Sequence, residues 1–446
     1  NQVYLFQDSK DSTLEVSNLQ HFFRKHIDDY KKLKDNPDIK LVQEGVKVIY
    51  KEIREKVIQP LTVRRTRSDL NEHELYKSDL DSQGIIFPDI EKPKKIFYEL
   101  DAELDALYDK TMILLSHEKE GIKYLRYQAI KFLKEEKKAK YKNADVASQA
   151  LAKLMKTLLV KRIDSSFHAF KESLNRFTIA TEAMTKMFAN GTVYIAPNLN
   201  VNEYVMEERE DELLTKMIAL QPTDPTIEIC SADDFIAGFA EGLQRDFEIL
   251  TELNKAWQKI EQDPKLDEFI RRLDTELLQK EINPAQKLVV FSESKETTTH
   301  IVKHLKAKGR NDVLEIHSDN RDKLKQTIRE NFDANIPTIQ YKNDFNIIIA
   351  TEVLAEGVNL HRSNVIVNYD TPWNSTRLMQ RIGRVNRIGS VAPKVYIFNF
   401  YPTAKVNSDI ELEKKAIMKL QAFHSALGED SEIYSPDEET QSFGLF

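Results

Sequence analysis

With a single cysteine, Cys230, in 446 residues, the chain can form no internal disulfide and no cysteine-based metal site, which points to a reducing cytoplasm. No stretch has the length and apolarity of a membrane span, so a soluble protein is expected. The opening residues NQVYLFQDSK lack the basic-then-apolar order of a signal peptide. None of the ten histidines combines with a carboxylate at metal-ligand spacing, and no metal site of the protein's own is expected. His21 and His26 are expected on the surface of a helix. A net charge of −7 excludes a chain coated in phosphate-binding cations, yet acidic blocks such as EERED near Glu207 can offset basic patches elsewhere. Also missing are a glycine-rich loop ending in GK[ST] and a magnesium-holding acidic motif, the parts that cradle a nucleoside triphosphate on a single lobe.

The length suits two or three domains. From Ser17 to Ile58 the apolar residues Leu19, Phe22, Phe23, Ile27, Tyr30, Val42, Val46, Ile49, Tyr50, Ile53 and Val57 recur at three and four, which predicts two amphipathic helices broken near Asn36 and Pro37. PLTVRRTRSDL follows, with Arg64, Arg65 and Arg67, which taken alone reads as a basic turn. Residues 1–100 are assigned to this helical linker region and 101–280 to a mostly helical insertion with few glycines. In the insertion, Phe132, Leu133, Leu151, Leu154, Met155, Leu158, Leu159 and Ile163 mark buried faces. TVYIAPNL around Tyr194 reads as a lone strand or a loop, and QPTDPT around Pro222 as a loop.

From Gln286 the pattern changes. KLVVFS, DVLEIHS, NIIIAT, NVIVNYD and KVYIFNF read as buried strands separated by helical or turn segments, the first helix ending at Gly309. Such alternation predicts an α/β doubly wound parallel sheet over 281–430, with a last helix from Ile410 to Leu427 and an acidic tail over 431–446. Its densest signal is NIIIATEVLAEGVNLHRSNVIVNYDTPWNSTRLMQRIGRVNRIGS, Asn346 to Ser390. The helix after Trp373 presents Arg377, Arg381 and Arg384 at helical spacings, with Arg387 one turn on and Gln380 one turn before Arg384. Planar forks at this density suit phosphate oxygens; a solvated basic face is the alternative.

ATEVLAEGVNL, YDTPWN and QRIGRVNRIG, in that order, resemble the last motifs of superfamily-two helicases, and YDTPWN resembles Swi/Snf-type DNA translocases in particular. PLTVRRTRSDL and FPDIEKPKKIFYELDAELDALY resemble the paired-arginine joint and the strand and helix that follow it in that family, while LLVKRIDSSFHAFKESLNRF resembles a helix of its bacterial members. The resemblance implies a RecA-like second lobe and a prokaryotic, cytoplasmic, nucleoid-associated motor. ATP and Mg²⁺ would be held mainly by a first lobe supplied in cis or in trans. The chain then reads as the C-terminal half of a motor, inactive as an ATPase alone, with double-stranded DNA as its partner and no membrane.

Residue by residue, the resemblance implies Arg384 and Arg387 as arginine fingers, with Gln380 and Arg381 in support and Gly357 and Asn359 near the nucleotide. Thr351, Ser292, Ser294, Trp373 and Asn374 are implied at nucleic acid. The two serines can equally cap a helix, and a helix cap is the alternative reading for Thr351. Asn386 stands where many members have histidine, and IHSDN around His317 lacks a frequent glycine. A strand-separating DNA or RNA helicase half is the alternative in the same class. The alternative outside it is a non-catalytic interaction module.

Overall fold

The computed structural model describes residues 14, 16, 18–34, 39–62, 70, 73–82, 85, 87–117, 120–141, 144–195, 228–355, 357–370 and 375–401. These fall into two compact units: one reaches Tyr98 and resumes at Glu268, and the other is Glu99–Asp267. Outside the described residues lie Arg64, Arg65, Arg67, the blocks around Glu207 and Pro222, Trp373, Asn374, and the final helix and tail expected after Ile410.

The first unit begins with helices α1 (Leu19–Lys34) and α2 (Ile39–Ile53), which close around Val42 and Val46 with Tyr30 and Tyr50. Gly45 lets them meet closely, because a Cβ there would stand 2.6 Å from Leu33 Cδ1. His21 is exposed as expected, but His26 is not: it is 5% exposed, stands edge-on to Phe22 at 4.4 Å, and brings Nε2 to 3.4 Å from Glu52 Oε2. The reason is periodicity, since position 26 continues the stripe Leu19, Phe22, Tyr30. Helix α3 (Glu74–Ser82) buries none of its residues. Two short strands follow, β1 (Asp89–Ile90) and β2 (Lys94–Ile96).

The second unit carries α4 (Ala102–Ser116), α5 (Ala144–Ser165), α6 (Phe167–Ala189) and α7 (Phe239–Gln258). Asp101 caps α4 by accepting the Leu104 amide at 2.8 Å. The stretch 158–177, expected as one helix, is two: Ser166 is extended and its hydroxyl accepts the Ala169 amide at 3.0 Å, so it starts α6. Trp257 is buried with its ring 5.1 Å from those of Phe167 and Phe170, and its indole N–H donates to Thr111 at 2.8 Å. Tyr194 lies in a strand, β3 (Thr192–Ile195), paired antiparallel with β4 (Glu228–Ser231) so that Val193 faces Cys230.

The first unit resumes within α8 (Pro264–Arg272), at Glu268, and Phe269 of that helix stands against Tyr369 and Phe400 at 5.6 and 6.4 Å. Then come β5 (Leu288–Phe291), α9 (Lys295–Ala307), β6 (Val313–Ile316), α10 (Arg321–Phe332), β7 (Ile347–Ala350), β8 (Val365–Asn368), α11 (Ser375–Val385) and β9 (Lys394–Phe400). Every residue of β5, β7 and β8 is buried, which is why they read as unbroken apolar runs. All pairings are parallel, in the order β6-β7-β5-β8-β9, with Leu288 opposite both Ile347 and Val365. β1 and β2 extend the sheet along the outer edge of β9. From β5 the chain runs out to β6 and then turns back through β7 and past β5 to β8 and β9, so right-handed crossovers put helices on both faces: this is the expected doubly wound sheet. Gly309 ends α9 at φ +87°, and the Arg310 amide reaches back to the Leu305 carbonyl at 3.0 Å.

Just before β5, Lys287 is 1% exposed, donates to the Phe345 carbonyl at 2.9 Å and lies 4.8 Å from the Phe332 ring centroid. Burial, with Arg362 nearby, pushes its pKa down to about 8, against the pull of Asp344 and Asp312. The unfolded lysine takes up its proton near 10.5, so between these values the unfolded chain binds more protons than the folded one. Stability is therefore expected to rise as pH climbs through this window, by up to about 3 kcal/mol. Denaturant titrations across the window should show the rise in the wild type and lose it in Lys287→Met; parallel curves for the two proteins would contradict it.

Candidate functional site

In an open parallel sheet, ligands sit outside the carboxyl ends of the strands, where the connections diverge. β5, β7 and β8 end at Phe291, Ala350 and Asn368, and a buried polar cluster occupies the space just beyond them. Its centre is Arg381, 0% exposed on α11. The guanidinium donates to Glu352 through Nε at 2.8 Å and through Nη2, and from Nη1 to Asn368 Oδ1 at 2.9 Å and the Asp370 carbonyl at 3.1 Å. Burial opposes its charge, but Glu352 and Asp370 outweigh that and raise its pKa. With these contacts inside the lobe, Arg381 locks α11 to the ends of β7 and β8.

Asp370 is shared with β5. Its Oδ2 accepts the Ser292 hydroxyl at 2.6 Å and its Oδ1 the Glu293 amide at 2.8 Å. Ser294 caps α9, accepting the Thr297 amide at 3.3 Å and donating to Glu296 at 3.1 Å. Both serines are buried, and their hydroxyls serve here as an internal tether and a helix cap. Thr351 differs. It is half-exposed at the end of β7, its amide bonds to the Ile316 carbonyl at 3.1 Å, and its side chain makes no cap hydrogen bond to the turn Glu352–Leu354.

A second cluster forms where the turn after α11 meets the loop before β8. Arg387 donates from Nε to the Gly383 carbonyl at 3.0 Å and from Nη1 to Asn359 Oδ1. The Asn359 amide nitrogen donates in turn to Asp333 Oδ2 at 3.3 Å. The half-exposed Arg387 guanidinium keeps Nη2 without a protein acceptor among the described residues. Arg384 and Gln380 are half-buried on α11, and the Arg384 carbonyl accepts the Leu360 amide at 2.9 Å, which fixes the loop against the helix. Gly357 has φ +74°, and a Cβ there would lie 2.6 Å from Arg321 Nη2, so only glycine lets that guanidinium approach. A cavity of about 220 Å³ opens beside it, lined by Lys325, Ile328, Arg329, Asp333, Gly357, Val358 and Asn359.

The structure thus brings Asn359 and Arg387 into direct contact and sets Gly357 beside them, while Ser292 and Arg381 share Asp370 in a separate buried cluster. Sequence reasoning missed Glu352, Asp370 and Asp333. The first two lay within the quoted strings ATEVLAEGVNL and YDTPWN, and their position at strand ends was the available signal. Asp333 had none, being 26 residues from Asn359 at the end of a helix.

Residues 268–389 match the family model for the helicase conserved C-terminal domain. An uncharacterized ATP-dependent helicase, YqhH, of Bacillus subtilis (strain 168) is 37% identical over 93 residues, which are 21% of this chain and 16% of that protein. The ATP-dependent RNA helicase DBP2 of Candida glabrata is 30% identical over 135 residues, 30% of this chain and 22% of that protein. Among solved structures, the C-terminal part of the Fun30 ATPase domain aligns over 76% of this chain and 97% of that one, at 14% identity and a TM-score of 0.33. Dbp5 of S. cerevisiae bound to RNA and ADP BeF3 aligns over 34% of this chain and 36% of that one, at 22% identity and a TM-score of 0.25. The chain therefore spans under a quarter of the curated relatives it matches, and within it residues 268–389, which hold the doubly wound sheet from β5 to β8, are similar to the helicase conserved C-terminal domain.

Proposed function

We propose that this lobe is the second half of an ATP-dependent motor that tracks along double-stranded DNA, working against a first lobe in cis or in trans. The observation that carries the reading is Arg387, held from behind by Gly383 and Asn359 with Nη2 left for an outside acceptor among the described residues. A guanidinium fixed in this way fits a phosphate oxygen of a nucleotide presented by another lobe. Arg384 and Gln380 precede it on α11, Gly357 and Asn359 line the adjoining turn, and Thr351 offers a hydroxyl at a strand end for a nucleic-acid phosphate. When bound, ATP with Mg²⁺ would bring a phosphoryl group whose developing charge needs such donors.

Support for a duplex tracker comes from the wording YDTPWN and PLTVRRTRSDL, whose Trp373, Asn374, Arg64 and Arg65 lie outside the described residues. A motor gripping phosphates along one strand of an intact duplex need not open base pairs, which would cost about 1.4 kcal/mol of stacking per step. In a protein carrying both lobes, duplex DNA is expected to stimulate ATP turnover and a triplex third strand to be displaced, while a forked duplex stays paired. Thr351→Ala should weaken the coupling of DNA to hydrolysis. Efficient fork unwinding without triplex displacement would favour the second reading, a strand-separating helicase half, for which the similarity to an RNA helicase speaks.

A further inference from the structure

The contacts of Arg387 continue inward to a group that no strand-end motif contains. Asp333 sits at the junction: Oδ2 accepts the Asn359 amide at 3.3 Å, while Oδ1 accepts the Asn335 backbone amide at 2.9 Å and faces His361 Nδ1 at 3.8 Å. His361 is 0% exposed, and neither ring nitrogen has a hydrogen-bond partner among the described residues. Gly389, at φ +84°, closes over the ring: a Cβ there would lie 3.9 Å from Nε2. The charged groups facing the ring are Asp333, just past α10, and Arg387, just past α11.

The order of donors and acceptors has only one consistent sense. Arg387 can only donate and ionised Asp333 can only accept, so the Asn359 side chain must turn its oxygen to the arginine and its nitrogen to the aspartate. Asp333 thereby sets the rotamer of the amide that holds the guanidinium. Anything that draws the carboxylate away releases Asn359, and with it Arg387.

We propose that Asp333 and His361 are positioning residues for Arg387: the neutral imidazole leaves the carboxylate to Asn359, and protonation of His361 draws it off and loosens the guanidinium. The proposal rests on Arg387 as the group that meets the nucleotide only for its consequence in turnover; the positioning itself is a property of this chain. Burial lowers the pKa of His361, Asp333 opposes this and Arg387 adds to it, so the neutral form is the resting one and the release falls on the acid side of histidine's ordinary value.

The test uses this chain with ¹⁵N-labelled arginine, following the Arg387 Nη–H proton donated to Asn359, its signal being assigned by its loss in Arg387→Lys. At neutral pH, Asp333→Asn should speed solvent exchange of that proton by roughly fivefold, the change corresponding to one ordinary hydrogen bond. On acidification the wild-type signal should shift in step with the His361 ring protons, and in His361→Gln it should stay still. An exchange rate in Asp333→Asn within about twofold of wild type, where one hydrogen bond should give about fivefold, overturns the proposal. So does an Arg387 signal that stays flat while His361 titrates. Should Asp333→Asn fail to fold, the titration arm stands alone. In a protein with both lobes, Arg387→Ala tests the nucleotide reading separately: its failure with intact NMR coupling removes the function assigned to Arg387, not its positioning.

Discussion

Replacing Arg387 or Arg384 by alanine, in a protein that carries both lobes, is expected to lower kcat by roughly 10³ to 10⁵, the range seen for arginines that meet charge developing at a transferring phosphoryl group. In free energy this is about 4 to 7 kcal/mol of transition-state stabilisation. DNA binding and folding should change little. Arg387 is half-exposed, and its guanidinium is held by the Gly383 carbonyl and Asn359 rather than by any buried charge among the described residues. Lysine should not restore the rate at either position, since a point charge cannot reproduce a planar fork. The check is steady-state turnover with saturating duplex, together with a thermal melt of each variant. A loss below about fivefold in both, far short of the 10³ floor for such groups, would leave them as surface residues.

How far the sequence could be read depended on whether a feature is local. β5, β7 and β8 were legible because a strand buried on both faces writes itself as three or four consecutive apolar residues, and Gly309 because a left-handed helix end favours glycine. Strand β4 was missed: EICS is four residues long with only Cys230 buried, too short for a period to show. His26 was misplaced although its stripe was visible, because residue type was given more weight than position. The two serines of KLVVFSES carried two readings that composition cannot separate, a phosphate contact or a cap, and their burial and the cap at Ser294 had no mark in the sequence. The pair Asp333 and His361 lay beyond reach altogether. They meet because α10 and the loop before β8 are brought together by the sheet, and neither stands in a spacing that marks a site.

The other large effect concerns Arg381, and here stability rather than turnover should change. Arg381→Met removes the cation while leaving Glu352 and Asp370, the second of them buried, beside an apolar side chain. Breaking a buried charge pair from one side usually costs about 3 to 5 kcal/mol, because the remaining carboxylate is left desolvated without a partner. Arg381→Lys should recover only a fraction, since one ammonium cannot reach Glu352, Asn368 and the Asp370 carbonyl in a single plane. If unpaired charge is the cause, a second change that removes it should help. Glu352→Leu in the Arg381→Met background is expected to regain at least about 1 kcal/mol, although Glu352→Leu alone destabilises, which makes the pair non-additive in a double-mutant cycle. Urea unfolding of the four proteins at one pH measures this directly. Additive losses, or an Arg381→Met cost within the ~0.5 kcal/mol of an ordinary surface change, would show that α11 is held to the sheet by its apolar residues Leu378, Ile382 and Val385 alone.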